Sequence, residues 1–290
     1  MINFVGSRKY WFVVSGLLLT LALGSFIYNA TVHGSVMNFG IDFTGGTMIS
    51  LRFPEPVSEQ GVRKVLAEHK LEKSVIQKSG ESDFFIRTEE IDRDLRVKIV
   101  EELKDKYGEV ELLEADTIGP VIGRELRFQA FWALLLASLG IILYVSFRFE
   151  FKYAVAALLA LYHDALITTG LIALFWRNID TPFIAAILTI MGYSINDTIV
   201  IFDRIRENLK QYKGKKTHFA EIVNKSINET LGRSINTTLT TLIVVLSVLF
   251  FGGETLKDFS LVLLIGFAVG AYSSIFLASP IVAVWESKRK

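Results

Sequence analysis

The sequence predicts a polytopic α-helical membrane protein, with six transmembrane helices and one α+β domain inserted between the first and second. Three observations predict it. Hydrophobic residues make up 51% of the 290 residues, and the mean hydropathy is +0.42, values that ordinary soluble domains do not sustain. Six windows of mostly apolar residues are each long enough, at about 20 residues, to cross a bilayer. One long polar stretch, residues 31–127, separates the first window from the second.

The first span, 10–28, runs from Tyr10 to Tyr28 without a charge. It exceeds the apolar core of a signal peptide and no A-x-A cleavage pattern follows, so it is expected to be retained. The second, 128–147, lies between Arg127 and Arg148. The third, 153–176, lies between Lys152 and Arg177 and is interrupted by His163 and Asp164. The fourth, 181–202, lies between Asp180 and Asp203 and is interrupted by Asp197. The fifth, 234–253, opens at Arg233, and the sixth, 259–285, lies between Asp258 and Glu286. Pro280 is expected to bend the end of the sixth. One such window also fits a buried helix of a soluble protein; six in a chain of this length do not.

Lysine and arginine in the short loops set the orientation. Arg8 and Lys9 precede the first span, Arg148 and Lys152 join the second to the third, and Lys288, Arg289 and Lys290 close the chain. The fourth-to-fifth connection holds Arg204, Arg206, Lys210, Lys213, Lys215, Lys216, Lys225 and Arg233. All fall on one side, whereas the two short loops opposite hold only Arg177 and Lys257. Both termini are therefore expected in the cytoplasm and residues 31–127 outside it, since long domains cross largely regardless of charge. The plan is residues 1–30 (N-terminus and first helix), 31–127 (outside domain) and 128–290 (helices two to six, with a cytoplasmic loop over 203–233).

The outside domain changes its apolar period along its length. Thr47–Phe53 alternates as a strand does, and Ser58–His69 has helical spacing at Val62, Val65 and Leu66 behind a Ser58 N-cap. Val75–Gln77 and Phe84–Arg87 read as short strands about a turn, and Ile91–Tyr107 as an amphipathic helix ended by Gly108. Val110–Ala115 is the last strand. The order βαββαβ is ferredoxin-like, a split βαβ unit, and says nothing by itself about function. Just before it, Gly40-Ile41-Asp42-Phe43-Thr44-Gly45-Gly46 reads as a tight structural turn, with paired glycines that permit positive φ. It is no phosphate loop, lacking the lysine and the following helix.

The candidate chemistry lies in the interrupted spans. Asp164 is near the middle of its helix, and Asp197 is six residues before Asp203, roughly 9 Å inside the cytoplasmic edge at 1.5 Å per residue. A carboxylate at that depth costs several kcal/mol unless paired or neutralised, so each must face the bundle interior. A proton relay and a hydrogen-bonded carboxyl that only holds helices together both fit. Asn196 adjoins Asp197, and Asn228-Glu229-Thr230 echoes Asn196-Asp197-Thr198. Arg233, expected at nearly the depth of Asp197, either reaches a carboxylate or snorkels to the surface. Asn236, Thr237, Thr238, Thr240 and Thr241 make the fifth helix polar on more than one face, and Gly266-x-x-x-Gly270 favours close packing. Asp203, Arg204, Arg206 and Glu207 sit at helical spacing where the fourth helix continues past the membrane. They fit local ion pairs, or a helix at the membrane surface that meets anionic lipid or a partner.

Other chemistry is excluded. A net charge of +1 gives no basis for nucleic-acid binding, and the absence of cysteine removes disulfides, thiolate metal sites and cysteine nucleophiles. His33, His69, His163 and His218 are scattered, and no nucleotide or dinucleotide fingerprint is present. No metal or cofactor is expected; any energy input comes from a gradient or a partner.

The motifs carry a resemblance that spans nearly the whole chain. They are Gly40–Gly46, Gly119-Pro120-Val121-Ile122-Gly123, Tyr162-His163-Asp164, and Gly192-Tyr193-Ser194-Ile195-Asn196-Asp197-Thr198 running into Asp203–Asn208. Glu229-Thr230-Leu231-Gly232-Arg233-Ser234-Ile235-Asn236-Thr237 is the last. The chain resembles the SecD/SecF family of the bacterial Sec export machinery, relatives of the resistance-nodulation-division transporters, and its short outside domain resembles the SecF branch. The resemblance implies an auxiliary, non-enzymatic role in the cytoplasmic membrane, with SecD, the SecYEG channel, translocating preprotein and membrane lipids as partners. It implies protons as the coupling ion, with Asp197 and Arg233 at the positions associated with proton conduction and Asp164 and Asn196 nearby. It adds a coupling role to the turn of Gly40, Asp42, Gly45 and Gly46. A chain opening on Met1-Ile2-Asn3-Phe4 is expected to be separate from SecD. Competing expectations are a small-molecule exporter of the resistance-nodulation-division type and a passive assembly factor.

Overall fold

The computed structural model describes residues 2–213 and 217–287. Lys215, Lys216 and Lys288–Lys290, part of the charge asymmetry above, lie outside those residues. The chain forms two compact units, Met1–Asn38 with Trp132–Lys290, and Phe39–Phe131. In chain order come α1 (Arg8–Val32), β1 (Asn38–Phe39), α2 (Ile41–Thr44), β2 (Gly46–Arg52), α3 (Glu59–Glu68), β3 (Val75–Ser79), β4 (Asp83–Thr88), α4 (Arg93–Tyr107) and β5 (Glu111–Ile118). They are followed by α5 (Pro120–Arg148), α6 (Phe151–Leu174), β6 (Asn178–Ile179), α7 (Thr181–Gln211), α8 (Phe219–Phe251), α9 (Glu254–Ser273), a π-helical turn (Ser274–Ala278) and α10 (Ser279–Ser287).

The first unit holds the membrane helices. Among the described residues, six stretches are long and apolar enough to cross a bilayer: α1, α5, α6, α7, α8 and the run Leu256–Ser287. The chain is a helical multi-pass membrane protein. Local chemistry sets several of the ends. Asp180 accepts a bond from the Phe183 amide, with Pro182 in the first turn of α7. Pro120 heads α5, where its missing N–H has no helical partner to lose. Pro280 cannot donate, and its ring crowds the carbonyl four residues back. The last span takes this up as the π turn, where the Ser279 hydroxyl donates to the Ser274 carbonyl at 3.1 Å.

In the connection 203–233 the fourth helix, α7, continues past Asp203, as its helical spacing led one to expect, but only to Gln211, and the next helix, α8, starts at Phe219. Arg233 therefore lies about four turns inside α8 rather than opening it. The cause is a buried stripe that outlasts the apolar windows. Ile201, Phe202, Ile205 and Asn208 on α7, and Ile222, Val223, Ser226, Ile227 and Thr230 on α8, are all buried at helical spacing. The basic residues occupy the other faces.

α6 is central. Over half of its apolar window is buried, 56%, against 11% for α5, so α6 is walled by protein and α5 is peripheral. Alanines 154, 156, 157 and 160 let its neighbours approach. α1 lies closest at Gly170, where an added Cβ would overlap Ala22. Ser25 donates to the Gly170 carbonyl (2.8 Å) and Asn29 to the Ala173 carbonyl (2.7 Å). Gly266 meets Ile190 and Gly270 meets Ser194, so the small-residue pair in α9 does bring that helix onto α7. The N-terminal residues are strapped to α8. The Ile2 amide donates to Asn228 Oδ1 (2.9 Å), and the Ile2 carbonyl accepts from the amides of Asn224 (3.0 Å) and Asn228 (2.8 Å). Phe4, 2% exposed, packs on Phe276.

The second unit is a four-stranded antiparallel sheet in the order β3-β4-β2-β5. Ile76, Ile86, Ile49 and Ala115 stand opposite one another across it. The core joins Ile49, Leu51, Phe53, Phe84 and Ile86 of the sheet to Val62, Val65 and Leu66 of α3 and Ile99, Val100 and Leu103 of α4. Ser58 caps α3 by accepting from the Gly61 amide, Asp92 caps α4 through the Leu95 amide (2.8 Å), and Gly108 ends α4 at φ +86°. β5 runs on to Ile118, beyond the expected end at Ala115, because Gly46, Thr47 and Met48 offer it partners.

Candidate functional site

Asp164 of α6 is 1% exposed and fully engaged. Its Oδ2 accepts from the hydroxyls of Ser194 on α7 and Ser273 at the end of α9, both at 2.7 Å. Its Oδ1 lies 3.0 Å from His163 Nδ1. The His163 ring also stacks towards Tyr272 at 6.3 Å between centroids, and Tyr272 donates to the Trp11 carbonyl of α1 at 2.7 Å. One carboxylate thus ties together α6, α7 and α9, and its neighbour reaches α1. Beside it, Thr198 and Ser274 share a bond at 2.8 Å, which links α7 to the π turn.

Asp197 is held differently. Its Oδ1 accepts from the Ser234 hydroxyl of α8 at 2.6 Å, and its Oδ2 is buried with no hydrogen-bond partner among the described residues. A buried oxygen left unbonded costs about 1–3 kcal/mol, more for a charged group. Arg233, next to Ser234, acts on Asp197 electrostatically without bonding to it. Its side chain is exposed and lines a polar cleft of about 770 Å³ that also reaches Val200 and Thr230, one turn from Asp197 and Ser234 respectively. Asn196 is exposed on α7 and does not share the Asp197–Ser234 bond.

The charges beyond Asp197 pair across helices as well as along them. Asp203 takes Arg148 of α5 at 2.9 Å, and Arg204 takes Glu229 of α8 at 2.7 Å as well as Glu207 one turn on at 2.8 Å. Arg206 donates to the Arg148 carbonyl at 3.4 Å. Glu229 also accepts from Asn208 at 2.7 Å and Asn228 holds Ile2, so the sequence echo around 228–230 is a helix-joining cluster.

The glycine motif is one helical turn with two special residues behind it. Gly40 caps α2 with a φ of −70° that suits any residue, and Asp42 lies in the first turn of that helix. Gly45 and Gly46 follow at φ +75° and +124°. An added Cβ on Gly46 would collide with the Thr88 carbonyl, and one on Gly45 would stand 3.1 Å from Pro120. Gly123 in turn lies against the Gly45 amide, at 3.1 Å from an added Cβ. Two motifs far apart in sequence therefore meet at the start of α5. Gly46→Ala is expected to destabilise the second unit by about 2–3 kcal/mol or more. Limited proteolysis of the intact protein reads this directly; wild-type resistance would contradict the packing described.

Sequence reasoning located both carboxylates and missed their partners, Ser194, Ser273 and Ser234. The available signal was a hydroxyl at matching depth on another span.

The fold and site define a six-span membrane protein with engaged carboxylates on its third and fourth spans and an α+β unit inserted after the first. The family model for the SecD/SecF protein export membrane protein, C-terminal, matches residues 98–288, and that for the SecD/SecF GG motif matches residues 34–57. The chain is 44% identical to protein translocase subunit SecF of Sebaldella termitidis, over 98% of its own length and 92% of that protein's. It is 40% identical to SecF of Pseudomonas aeruginosa, over 98% and 91%. The crystal structure of SecDF from Thermus thermophilus, a translocon-associated membrane protein, matches 99% of the chain with a TM-score of 0.89 at 39% identity. A SecDF structure in a super-membrane-facing form matches with a TM-score of 0.72. The chain spans 39% of the length of those SecDF chains. The chain belongs to the SecD/SecF family, among the SecF subunits.

Proposed function

We propose that the chain is an auxiliary subunit of the Sec protein translocase that works with SecD to drive preprotein export with the proton motive force. Close relatives named as translocase subunits over nearly their full length support the export role. The Thermus relative, in which the matching part belongs to a longer SecDF chain, supports a SecD partner. SecYEG and the emerging preprotein complete the set of partners. The lysine and arginine asymmetry supports cytoplasmic termini and an outside Phe39–Phe131 unit. The order β3-β4-β2-β5 with two helices supports a ferredoxin-like reading of that unit. The role is mechanical, with protons as the coupling ion and no other cofactor.

The observation that carries the mechanism is the unequal treatment of the two oxygens of Asp197. Oδ1 is tied to α8 through Ser234, while Oδ2 is left open to a proton beside the cleft that Arg233 lines. Protonation removes the charge that Arg233 opposes and gives the carboxyl a donor, so the α7–α8 link changes. One charge crossing 100 mV is worth about 2.3 kcal/mol, roughly fiftyfold in a two-state equilibrium. Asp164, with all its donors in place, holds the helices that this change moves against. The turn of Gly40, Asp42, Gly45 and Gly46 at the head of α5 passes the change outward. Small-molecule export is not favoured, because the relatives bear translocase names.

Co-purification with SecD is expected, together with proton-dependent stimulation of preprotein import into inverted vesicles that hold both. A chain that stays apart from SecD, and whose removal leaves import unchanged, would sink the reading.

A further inference from the structure

The cleft beside Arg233 has an outer part that the export mechanism leaves without a task. Its walls come from α5, α7 and α8, and they hold five cations against three carboxylates. The carboxylates are already engaged, Asp203 by Arg148 and both Glu207 and Glu229 by Arg204. Arg206, Lys210 and Arg233 remain, with no carboxylate at ion-pair distance among the described residues. Arg206 and Lys210 stand one turn apart on α7 and face the same cleft as Arg233 of α8. The bond from Arg206 to the Arg148 carbonyl uses one of five guanidinium N–H groups and fixes the head in the wall.

Guanidinium forks match phosphate oxygens two at a time, and an ammonium adds a point charge. Such basic clefts between membrane helices suit lipid head groups. The surface next to the cleft is apolar. Leu143, Tyr144 and Phe147, in the last turns of α5 before Arg148, are 59%, 55% and 92% exposed. A soluble phosphate would find no use for that surface, whereas acyl chains would cover it.

We propose that this cleft binds the phosphodiester of an anionic phospholipid through Arg206, Lys210 and Arg233, with the acyl chains along the exposed end of α5. The site goes beyond the export role and stands whether or not Asp197 carries protons.

Native mass spectrometry of the purified full chain tests it, with phosphatidylglycerol, phosphatidylcholine or inorganic phosphate added. One phosphatidylglycerol is expected to stay bound where phosphatidylcholine is lost. The double variant Arg206→Gln, Lys210→Gln is expected to weaken retention roughly twenty-five-fold, at about one factor of five per cation. The charge-keeping pair Arg206→Lys, Lys210→Arg should restore most of it, which separates loss of charge from loss of fold. Equal retention of the two lipids, or undiminished retention in the glutamine variant, would overturn the site. Displacement by millimolar inorganic phosphate would assign the cleft to free phosphate and overturn the lipid.

Discussion

Replacing Asp197 with Asn leaves the chain folded and in its complex, and abolishes the proton-dependent part of preprotein import into inverted vesicles. The amide keeps the size of the carboxyl and still accepts from the Ser234 hydroxyl, so the α7–α8 bond of 2.6 Å survives. What is lost is the ability to exchange a proton at Oδ2, the oxygen without a partner. Stimulation is expected to fall at least tenfold, within the roughly fiftyfold that one charge across 100 mV supplies. Import at zero gradient should be unchanged, which separates a coupling defect from a general one. Asp197→Glu, which keeps the titrating group at a shifted position, should retain part of the stimulation. Full stimulation in the asparagine variant with the complex intact would falsify the relay and leave the passive assembly role in its place.

Asp164→Ala has a different signature: it lowers stability. The substitution removes the acceptor shared by Ser194 and Ser273, both 1% exposed or less, and opens a cavity between α6, α7 and α9. Ser273 keeps an alternative in the Gly270 carbonyl at 3.1 Å. The Ser194 hydroxyl has no second bond among the described residues, so it is the group left stranded. The expected loss is about 2–4 kcal/mol, with a thermal midpoint in detergent lower by roughly 10 °C. Asp164→Asn, which can still accept from both serines at one oxygen, should lose much less. An alanine variant that melts with the wild type would remove Asp164 from its place as the tie of the bundle.

The sequence and the structure agree most where one element suffices to make the case. Spans follow from apolar length alone, and the Ser58 cap and the stop at Gly108 follow from local backbone chemistry. The carboxylates at 164 and 197 stood out because a charge in lipid-depth sequence has few explanations. Their partners did not, because serine is ordinary in membrane helices and pairing between helices leaves no trace in a single chain. Ser234 and Asp197 are joined only once α7 and α8 are packed. The start of the fifth helix, expected at Arg233, was misplaced for another reason. Charges closed the hydropathy windows at Asp203 and Arg233, while the buried positions Ile205, Asn208, Ile222 and Val223 kept helical period through the same residues. Period, read separately from hydropathy, would have carried the start of the fifth helix back towards Phe219. Neither signal could find the strap from Ile2 to Asn224 and Asn228, which depends on backbone groups.

That strap bears on how the protein is handled. Because the backbone amide and carbonyl of Ile2 are both committed to the side of α8, an affinity tag or fluorescent fusion placed directly ahead of it has to leave alongside α8, only a few turns from Ser234 and Arg233. Labels are better carried at the opposite terminus, and a natural or engineered tether to a preceding polypeptide needs enough slack to pass α8 without pulling Phe4 from its seat.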